Sequence, residues 1–422
     1  MLKKVFYLMV LCTSTVLAIH LSPLFLNAPH FSLVQAQAPQ QERETIHIER
    51  AAVRVIQDPR SSFSAVSVDV ARDEIVLQDE SLEQIMVYDR LANTPPNAAM
   101  TEPKRVIGGP RTNVEMNCGI YVDPGSGDIY SVNGDTNNVM SVFSRNAKGN
   151  VEADRSLHTP HRTLGIVVDE EAQELFLTLN HAPAVVVYRK MATGEEAPLR
   201  ILEGDNTRLM DLNGITLDTK NQVMFVSNRG ATSRNRNNQG WSRALKEGES
   251  TWEIPRQFDA WRNFVPGSGE FQPSSITVYP LKANGDVPPL RVIQGPLTRL
   301  NWPAHLSMDM EHQELYVANT VTDEILVFSA TANGNVAPVR VLKGPRTNLD
   351  KPHGVFVDVK NDEIVVANFG NHAATVYRRT ASGDTAPIRT IRAAPPDTPA
   401  AMLGNIGALN YDTKRDQILA PN

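Results

Sequence analysis

Histidine is the usual acid–base group near neutral pH and a common zinc ligand, so His181, His305 and His353 are the first candidates for chemistry. Their spacing matches no helical zinc motif, and the chain has no nucleophile elbow, P-loop or EF-hand loop. We therefore assign no metal ligands and no catalytic residues, and no cofactor is evident. A divalent metal stays open as an alternative, because a fold could bring three such side chains together.

A second group of candidate side chains is aromatic and basic. An insertion at residues 229–272 begins with Arg229 and interrupts an otherwise regular pattern. It holds three of the chain's four tryptophans, and the fourth follows it: Trp241, Trp252, Trp261 and Trp302. Indole rings stack on sugar rings and other flat apolar ligands. Because long loops that carry tryptophan are usually ordered and functional, we interpret the insertion as a flap over a ligand. Packing of the indoles onto the fold is the alternative.

A sequence unit that recurs seven times must position these residues. One copy reads Pro352-His-Gly-Val-Phe-Val-Asp358 and continues with Glu363-Ile-Val-Val-Ala-Asn368. Each copy contains an anchor aspartate, and the seven are Asp69, Asp123, Asp169, Asp218, Asp309, Asp358 and Asp412. Neighbouring anchors are about 50 residues apart, which is the period of a propeller or a solenoid. The insertion lies in the one longer gap.

Each unit contains four short apolar runs rich in β-branched and aromatic residues, which predict strands A to D of one sheet. Four-stranded sheets repeated radially form a β-propeller. The last A–B pair, at 407–422, has no C–D pair after it, whereas residues 45–48 and 53–56 form an unmatched C–D pair. We therefore predict an all-β, seven-bladed β-propeller closed by a blade that the N- and C-terminal strands share. Six blades with loose ends are the alternative.

Two segments carry a family resemblance. Leu315-Tyr-Val-Ala-Asn319 resembles the YVTN-type propeller repeat, and Pro352-His-Gly-Val-Phe-Val-Asp358 resembles the opening of an NHL-type repeat. The resemblance covers residues 45–422 and implies a propeller. Relatives of this broad group include extracytoplasmic binding proteins, sugar lactonases and the streptogramin lyase type. The sugar-lactonase type implies a carboxylate-rich metal site in the central channel, and no unit here places Glu or Asp at the start of strand A.

The rim where strand A begins and strand B ends is the expected functional end. Strand B ends in an amide residue in each blade: Gln78, Asn133, Asn180, Asn228, Asn319, Asn368 and Asn422. Recurrence in every blade favours caps of the B–C turn, and a polar collar around a ligand is the alternative.

Positions that differ between blades are better candidates for recognition. Five residues before the anchors lie Ser64, Cys118, Leu164, Asn213, Ala304, His353 and Gly407, with His305 one place further on. After the amide residues lie Asp79, Gly134, His181, Arg229, Thr320 and Phe369. As candidate ligand-binding residues we select the four tryptophans with Arg229, His181, His305, His353, Asn213, Asn228, Asn319 and Asn368.

The N-terminus and the charge bear on compartment and partners. Residues 1–36 have the pattern of a cleaved export signal, with an uncleaved membrane anchor as the alternative. Residues 37–44 would be a short linker and 45–422 the propeller. Export predicts a periplasmic or secreted protein with no membrane span in the mature chain. A formal net charge of -6 with no basic tail argues against nucleic acid as a partner.

These features together favour a binding module. We expect a small molecule, a glycan or a protein on the top face under the flap, because no recognisable catalytic set is present. The first alternative is an enzyme of lactonase or lyase type that acts on a small cyclic or sugar-derived substrate, with a histidine as acid or base. The second is a structural platform of the cell envelope.

Overall fold

The computed structural model describes residues 60–134, 137–180, 182–230, 273–398, 410–412 and 417–419. In these ranges the chain forms six four-stranded antiparallel sheets and one two-stranded hairpin. The four strands of each sheet follow one another in chain order, so each blade is built from consecutive strands A to D, as the repeat predicted.

Blades 1 to 3 precede the insertion. Their strands are β1 (Ala65–Asp69), β2 (Glu74–Asp79), β3 (Gln84–Asp89) and β4 (Arg105–Gly108); β5 (Asn117–Val122), β6 (Ile129–Asn133), β7 (Val139–Phe143) and β8 (Arg155–His158); β9 (Thr163–Asp169), β10 (Glu174–Leu179), β11 (Ala184–Arg189) and β12 (Arg200–Glu203).

Blade 4 contains the insertion between its second and third strands. The remaining strands are β13 (Leu212–Asp218), β14 (Val223–Asn228), β15 (Ser275–Pro280) and β16 (Arg291–Gln294); β17 (Pro303–Asp309), β18 (Glu314–Asn319), β19 (Glu324–Ser329) and β20 (Arg340–Leu342); β21 (Pro352–Asp358), β22 (Glu363–Asn368), β23 (Ala373–Arg378) and β24 (Arg389–Arg392). The hairpin consists of β25 (Asn410–Asp412) and β26 (Gln417–Leu419).

The anchor aspartate ends strand A and caps the turn into strand B. In blade 5, Oδ1 of Asp309 accepts hydrogen bonds from the backbone amides of Glu311 and His312 at 3.0 and 2.8 Å. Gln313 closes the turn in the left-handed region, with φ of 56°. A short side chain with acceptor oxygens is what such a turn requires, which explains why the aspartate recurs.

The six sheets close into a ring. The inner strands β1, β5, β9, β13, β17 and β21 contact one another in that order, and β21 contacts β1 directly. One hydrophobic core contains Phe63, Val66 and Leu77 of blade 1 together with Val365 and Ala374 of blade 6. Because these two blades share a core, no further blade fits between them. The predicted β-propeller is confirmed, the seven-bladed closure with a shared blade is wrong, and the six-bladed alternative is the observed one.

The seventh repeat does not form a blade in the described residues. Its A–B pair is the isolated hairpin β25–β26, in which Asp412 pairs with Gln417. The C–D pair expected at 45–48 and 53–56 lies outside the described residues.

A repeated backbone contact joins neighbouring blades near the outer strand. The glycine of the C–D turn pairs with strand D of the preceding blade, as Gly194 does with Leu157. In blade 1, threonine takes the place of glycine: the amide of Thr94 donates to the carbonyl of Thr390 in blade 6 at 2.8 Å. The seam between the last and first blades is therefore closed by the same kind of contact as the other five.

The inner strands approach closely at the axis, and glycine permits this approach. A Cβ on Gly214 would lie 2.6 Å from the carbonyl oxygen of Ala304 and from Cα of His305. The same position in four inner strands is glycine: Gly119, Gly165, Gly214 and Gly354. The residues just before these glycines are consequently brought near the axis.

No helix in the ranges that the structure describes is both long enough and apolar enough to cross a membrane.

Candidate ligand site on the propeller axis

Side chains from five blades meet on the axis of the propeller. We name them the axial cluster, which consists of Glu80, Cys118, Asn213, Arg229, His305 and His353. Four of them lie at the start of strand A, whereas Glu80 and Arg229 directly follow strand B in blades 1 and 4. The cluster therefore occupies the rim at which the sequence pattern placed the blade-specific residues.

The two histidines pack against each other and are held by backbone carbonyls. Their ring centroids are 5.2 Å apart. Nδ1 of His353 lies 2.8 Å from the carbonyl oxygen of Ser64, so Nδ1 carries the proton and Nε2 is an acceptor. His305 donates to the carbonyl of Cys118, which belongs to the opposite blade of the ring. These contacts fix the orientation of both rings.

Both imidazoles are neutral near pH 7. Burial lowers the pKa of His305 to about 4, and the nearby charge of Arg229 acts in the same direction. Burial also lowers the pKa of His353 well below its ordinary value, with His305 and Arg229 as further causes. A neutral imidazole offers a hydrogen-bond acceptor, but a pKa this low makes it a weak general base.

Arg229 is held in place on three sides. Its Nη2 donates to Nε2 of His353 at 3.2 Å. With the amide of Asn213 oriented so that its oxygen faces the guanidinium, Oδ1 accepts from Nε at 3.0 Å. The guanidinium also lies over the ring of Trp302, 5.2 Å from its centroid, and Trp302 is 49% exposed. A guanidinium with so little freedom loses little entropy when it binds an anion.

Glu80 reaches the cluster from blade 1, opposite Arg229. Its Oε2 lies 3.7 Å from Sγ of Cys118, whose single proton also has the carbonyl oxygen of Met116 as an acceptor at 3.1 Å. Burial raises the pKa of the Glu80 carboxyl, whereas the charges of Arg229 and Arg162 lower it. Burial and the Glu80 charge raise the pKa of the Cys118 thiol, so this cysteine is not an activated nucleophile.

The sequence pattern does not reveal Glu80, because the predicted amide positions of blades 1 and 3 are one residue out of register. Strand B ends at Asp79 in blade 1 and at Leu179 in blade 3, so Gln78 and Asn180 do not hold the ring position predicted for them. The side chain of Asp79 accepts hydrogen bonds from the amides of Ser62 and Leu82, as an asparagine cap would. Glu80 and Asn180 therefore take the place assigned to Asp79 and His181.

The constant distance from the anchor aspartate would have revealed the correct register. In four blades, the asparagine that ends strand B follows the anchor aspartate at one constant spacing; the pairs are Asp123 and Asn133, Asp218 and Asn228, Asp309 and Asn319, and Asp358 and Asn368. The same spacing leads from Asp69 to Asp79 in blade 1 and from Asp169 to Leu179 in blade 3.

The selected asparagines at the end of strand B are buried and bonded to the scaffold. Asn228 accepts from the amide of Met210 at 2.9 Å and donates to Oγ1 of Thr277 at 3.1 Å. Asn319 and Asn368 accept from the amides of Asn301 and Asp350 in the same way. Their bonds tie strand B to the D–A link of the same blade, which is the geometry of a cap. By contrast, Asn213 lies in the axial cluster.

Four selected residues fall outside the described residues: Trp241, Trp252, Trp261 and His181. Residues on the two sides of the undescribed segment 231–272 are in contact. Oγ of Ser274 donates to the carbonyl of Arg229 at 2.5 Å, and the amide of Trp302 lies 3.3 Å from the same Oγ. Trp302 therefore lies beside the residues that flank the insertion, with its side chain partly exposed.

The D–A links contribute further charged residues that sequence reasoning did not select. Arg162 and Asp211 occupy the same link position as Trp302, and all three have left-handed backbone, with φ of 63°, 49° and 57°. The side-chain Nδ2 of Asn180 donates a hydrogen bond to Oδ1 of Asp211. The charges of Arg162 and Asp211 both act on the pKa of Arg229, which burial lowers. The repeated left-handed link is the signal that identifies this position, although it is visible only in three dimensions.

No group of three or more His, Cys, Asp or Glu side chains in the described part of the chain has the geometry to hold a metal ion. The axial cluster supplies at its centre a guanidinium, two neutral imidazoles, an amide, a thiol and a carboxyl group. These groups suit the recognition of a polar ligand through hydrogen bonds and charge.

Comparisons with known proteins support the fold and leave the function open. No protein-family model matches the chain, and no curated protein matches it. The YVTN and NHL resemblance therefore stays a prediction. Among solved structures, Kuenenia stuttgartiensis hydrazine synthase is similar over 79% of this chain and 100% of that chain, with a TM-score of 0.50 and 12% identity. At this identity the similarity shows the propeller fold alone, and 1144 solved chains match in structure, so the fold selects no function.

Proposed function

We propose that the chain is an extracytoplasmic binding protein that holds a small polar ligand at the axial cluster. The observation that carries this proposal is the fixed guanidinium of Arg229, which His353, Asn213 and Trp302 position at a half-buried site on the axis. Propellers place blade-specific side chains on a rigid ring, and pre-organised polar groups of this kind are typical of ligand sites. The compartment follows from the export signal predicted at residues 1–36.

Binding is favoured over catalysis by the state of the histidines. An acid–base residue works best with a pKa near the working pH, and the pKa of His305 is about 4. The high pKa of the Cys118 thiol disfavours a covalent step at this position. A lactonase- or lyase-type enzyme is the alternative that the experiment below separates from a binding protein.

The test is a thermal-shift screen of the chain without residues 1–36. The compounds are amino acids, small carboxylates, amines, sugars and sugar lactones. A ligand at a hundredfold excess over its Kd stabilises the folded state by about 2.7 kcal/mol, which produces a measurable rise in Tm. We expect at least one compound class to raise the Tm, without being consumed when the mixture is followed by NMR. Consumption of a lactone would instead support the enzyme.

Two arginine variants locate the site. Arg229→Gln should abolish the shift, because it removes the guanidinium at the axis. Arg346→Gln is the matched control: its side chain is 73% exposed and pairs with Asp384 at 3.1 Å. A shift that both variants retain would place the ligand elsewhere, and a screen without any hit would contradict the proposal.

A further inference from the structure

A carboxyl group and a guanidinium of the axial cluster lie on opposite blades without pairing. Glu80 and Arg229 each act on the pKa of the other as a charge, yet neither forms an ion pair with any residue that the structure describes. They follow strand B in blades 1 and 4, which lie opposite each other in a ring of six. Burial disfavours the charged form of each group, and a ligand that pairs with both would offset that cost.

Each charged group also keeps an atom available to a ligand. The described contacts of Arg229 involve Nε and Nη2, and those of Glu80 involve Oε2. Nη1 of Arg229 and Oε1 of Glu80 have no hydrogen-bond partner among the described residues, and neither is among the buried atoms that lack one. Glu80 and Arg229 are both half-buried, so these two atoms are available to a ligand at the axis.

We propose that the axial cluster binds a small zwitterion, with its ammonium group at Glu80 and its carboxylate at Nη1 of Arg229. This inference rests on the proposed function and specifies the ligand class of the same site. The ligand is an amino acid or a short ω-amino acid whose two charges span the axis between blades 1 and 4.

Other ligand classes leave one or both charges unpaired. A simple carboxylate would pair with Arg229 and leave Glu80 without a cation, and a simple amine would leave Arg229 without an anion. A neutral sugar would leave both charges unmatched. The remaining charges that act on Arg229 are those of Asp211, which also bonds to the side chain of Asn180, and Arg162, one of each sign.

Isothermal titration calorimetry tests the proposal with a series of increasing charge separation. The probes are glycine, β-alanine, 4-aminobutyrate and 6-aminohexanoate. Each is compared with the carboxylate that lacks the amino group and with the amine that lacks the carboxylate. We expect one length to bind, and its two singly charged analogues to bind about tenfold or more weakly, because each loses one charge-assisted hydrogen bond.

Each of the variants Glu80→Gln and Arg229→Gln should shift the binding preference from the zwitterion to one of its singly charged analogues. In Glu80→Gln the carboxylate analogue should bind at least as tightly as the zwitterion, and in Arg229→Gln the amine analogue should do so. Glu83→Gln, in the same loop and exposed, is the matched control and should leave the preference unchanged. A variant that merely unfolded would lose all three probes equally, and circular dichroism separates that case.

The outcomes separate this inference from the proposed function. If sugars or lactones bind in an Arg229-dependent way and no zwitterion does, the zwitterion is excluded while a ligand site on the axis stands. If the singly charged analogues bind as well as the zwitterion, the pairing of both charges is wrong. If no probe of any class binds, both proposals fail.

Discussion

Asp79 shows how a single residue can depart from the repeat without disturbing the fold. It fills the position that asparagine holds at Asn133, Asn228, Asn319 and Asn368, and it is fully buried. Burial raises its pKa to about 7, and the charge of Glu80 adds to the effect. The folded protein therefore holds a proton on Asp79 that the unfolded chain releases at much lower pH.

The variant Asp79→Asn should stabilise the protein at pH 8. The pKa of Asp79 is higher in the folded protein than its ordinary value of 3.8, so the protonated carboxyl group stabilises the fold at low pH. This contribution is lost as the pH rises from about 4 to 7 and changes little above 7. Asparagine does not titrate and still offers an acceptor to the cap. We expect a gain of about 1 kcal/mol at pH 8 that shrinks towards pH 4, as measured by urea denaturation at several pH values.

Asn133→Asp is the reciprocal control, because it places a carboxyl group in a cap that is neutral. It should lower the stability at pH 8 more than at pH 4. A stability difference for Asp79→Asn that is independent of pH would contradict the assigned protonation.

Among the elements, the inner strands set the dimensions of the site. Strands β5, β9, β13 and β21 carry glycine at the point of closest approach, so the backbone of each nearly touches the next strand. Of the axial side chains, those of Cys118, Asn213 and His353 sit one residue before this point, and His305 takes the position that glycine holds in the other strands. Backbone packing therefore fixes the positions of these four, whereas Glu80 and Arg229 lie just past strand B, at the start of the B–C loops.

Gly214→Ala should disturb both the fold and the site. The new Cβ would lie 2.6 Å from backbone atoms of Ala304 and His305, which cannot move aside as a side chain would. We expect a loss of about 2 kcal/mol in the free energy of unfolding, measured by chemical denaturation. Gly125→Ala is the control, since its Cβ would meet only a side-chain oxygen of Asp123, at 3.2 Å. Equal stability of the two variants would show that the strands can separate.

For the whole molecule, ring closure depends on the seam between blades 1 and 6. A shared core and backbone hydrogen bonds close it, without exchange of strands between the ends of the chain in the described residues. The ring of six blades is complete between Arg60 and Thr398.

A shortened chain of residues 57–398 should fold cooperatively. It retains all six blades and the seam, so we expect a single thermal transition with a Tm within about 4 °C of that of the longer chain. Differential scanning calorimetry of both chains makes the comparison. A shortened chain that lacks a cooperative transition would mean that the terminal segments help to close the ring.

The sequence predicted the blades well because turns and strand patterns are local. The anchor aspartates, the four apolar runs of each unit and the placement of Arg229, His305 and His353 near strand ends could all be read from one repeat at a time. The blade number could not, since it depends on whether β1 packs on β21. The blade number determines which side chains face each other across the axis. In a ring of seven, no blade lies directly opposite another, so Glu80 and Arg229 lie on opposite blades only because the ring has six.

The separation of scaffold from site has a consequence for how such a ring can change over evolutionary time. Because each blade consists of consecutive strands and the closing seam resembles the other five, the ring has no obligatory first blade. A gene that started at any other D–A link would encode the same six neighbours in rotated order, with the axial residues unmoved. Duplication or loss of one blade is different: it would preserve every local contact, yet it would rotate Glu80 and Arg229 out of opposition and erase the recognition that depends on it.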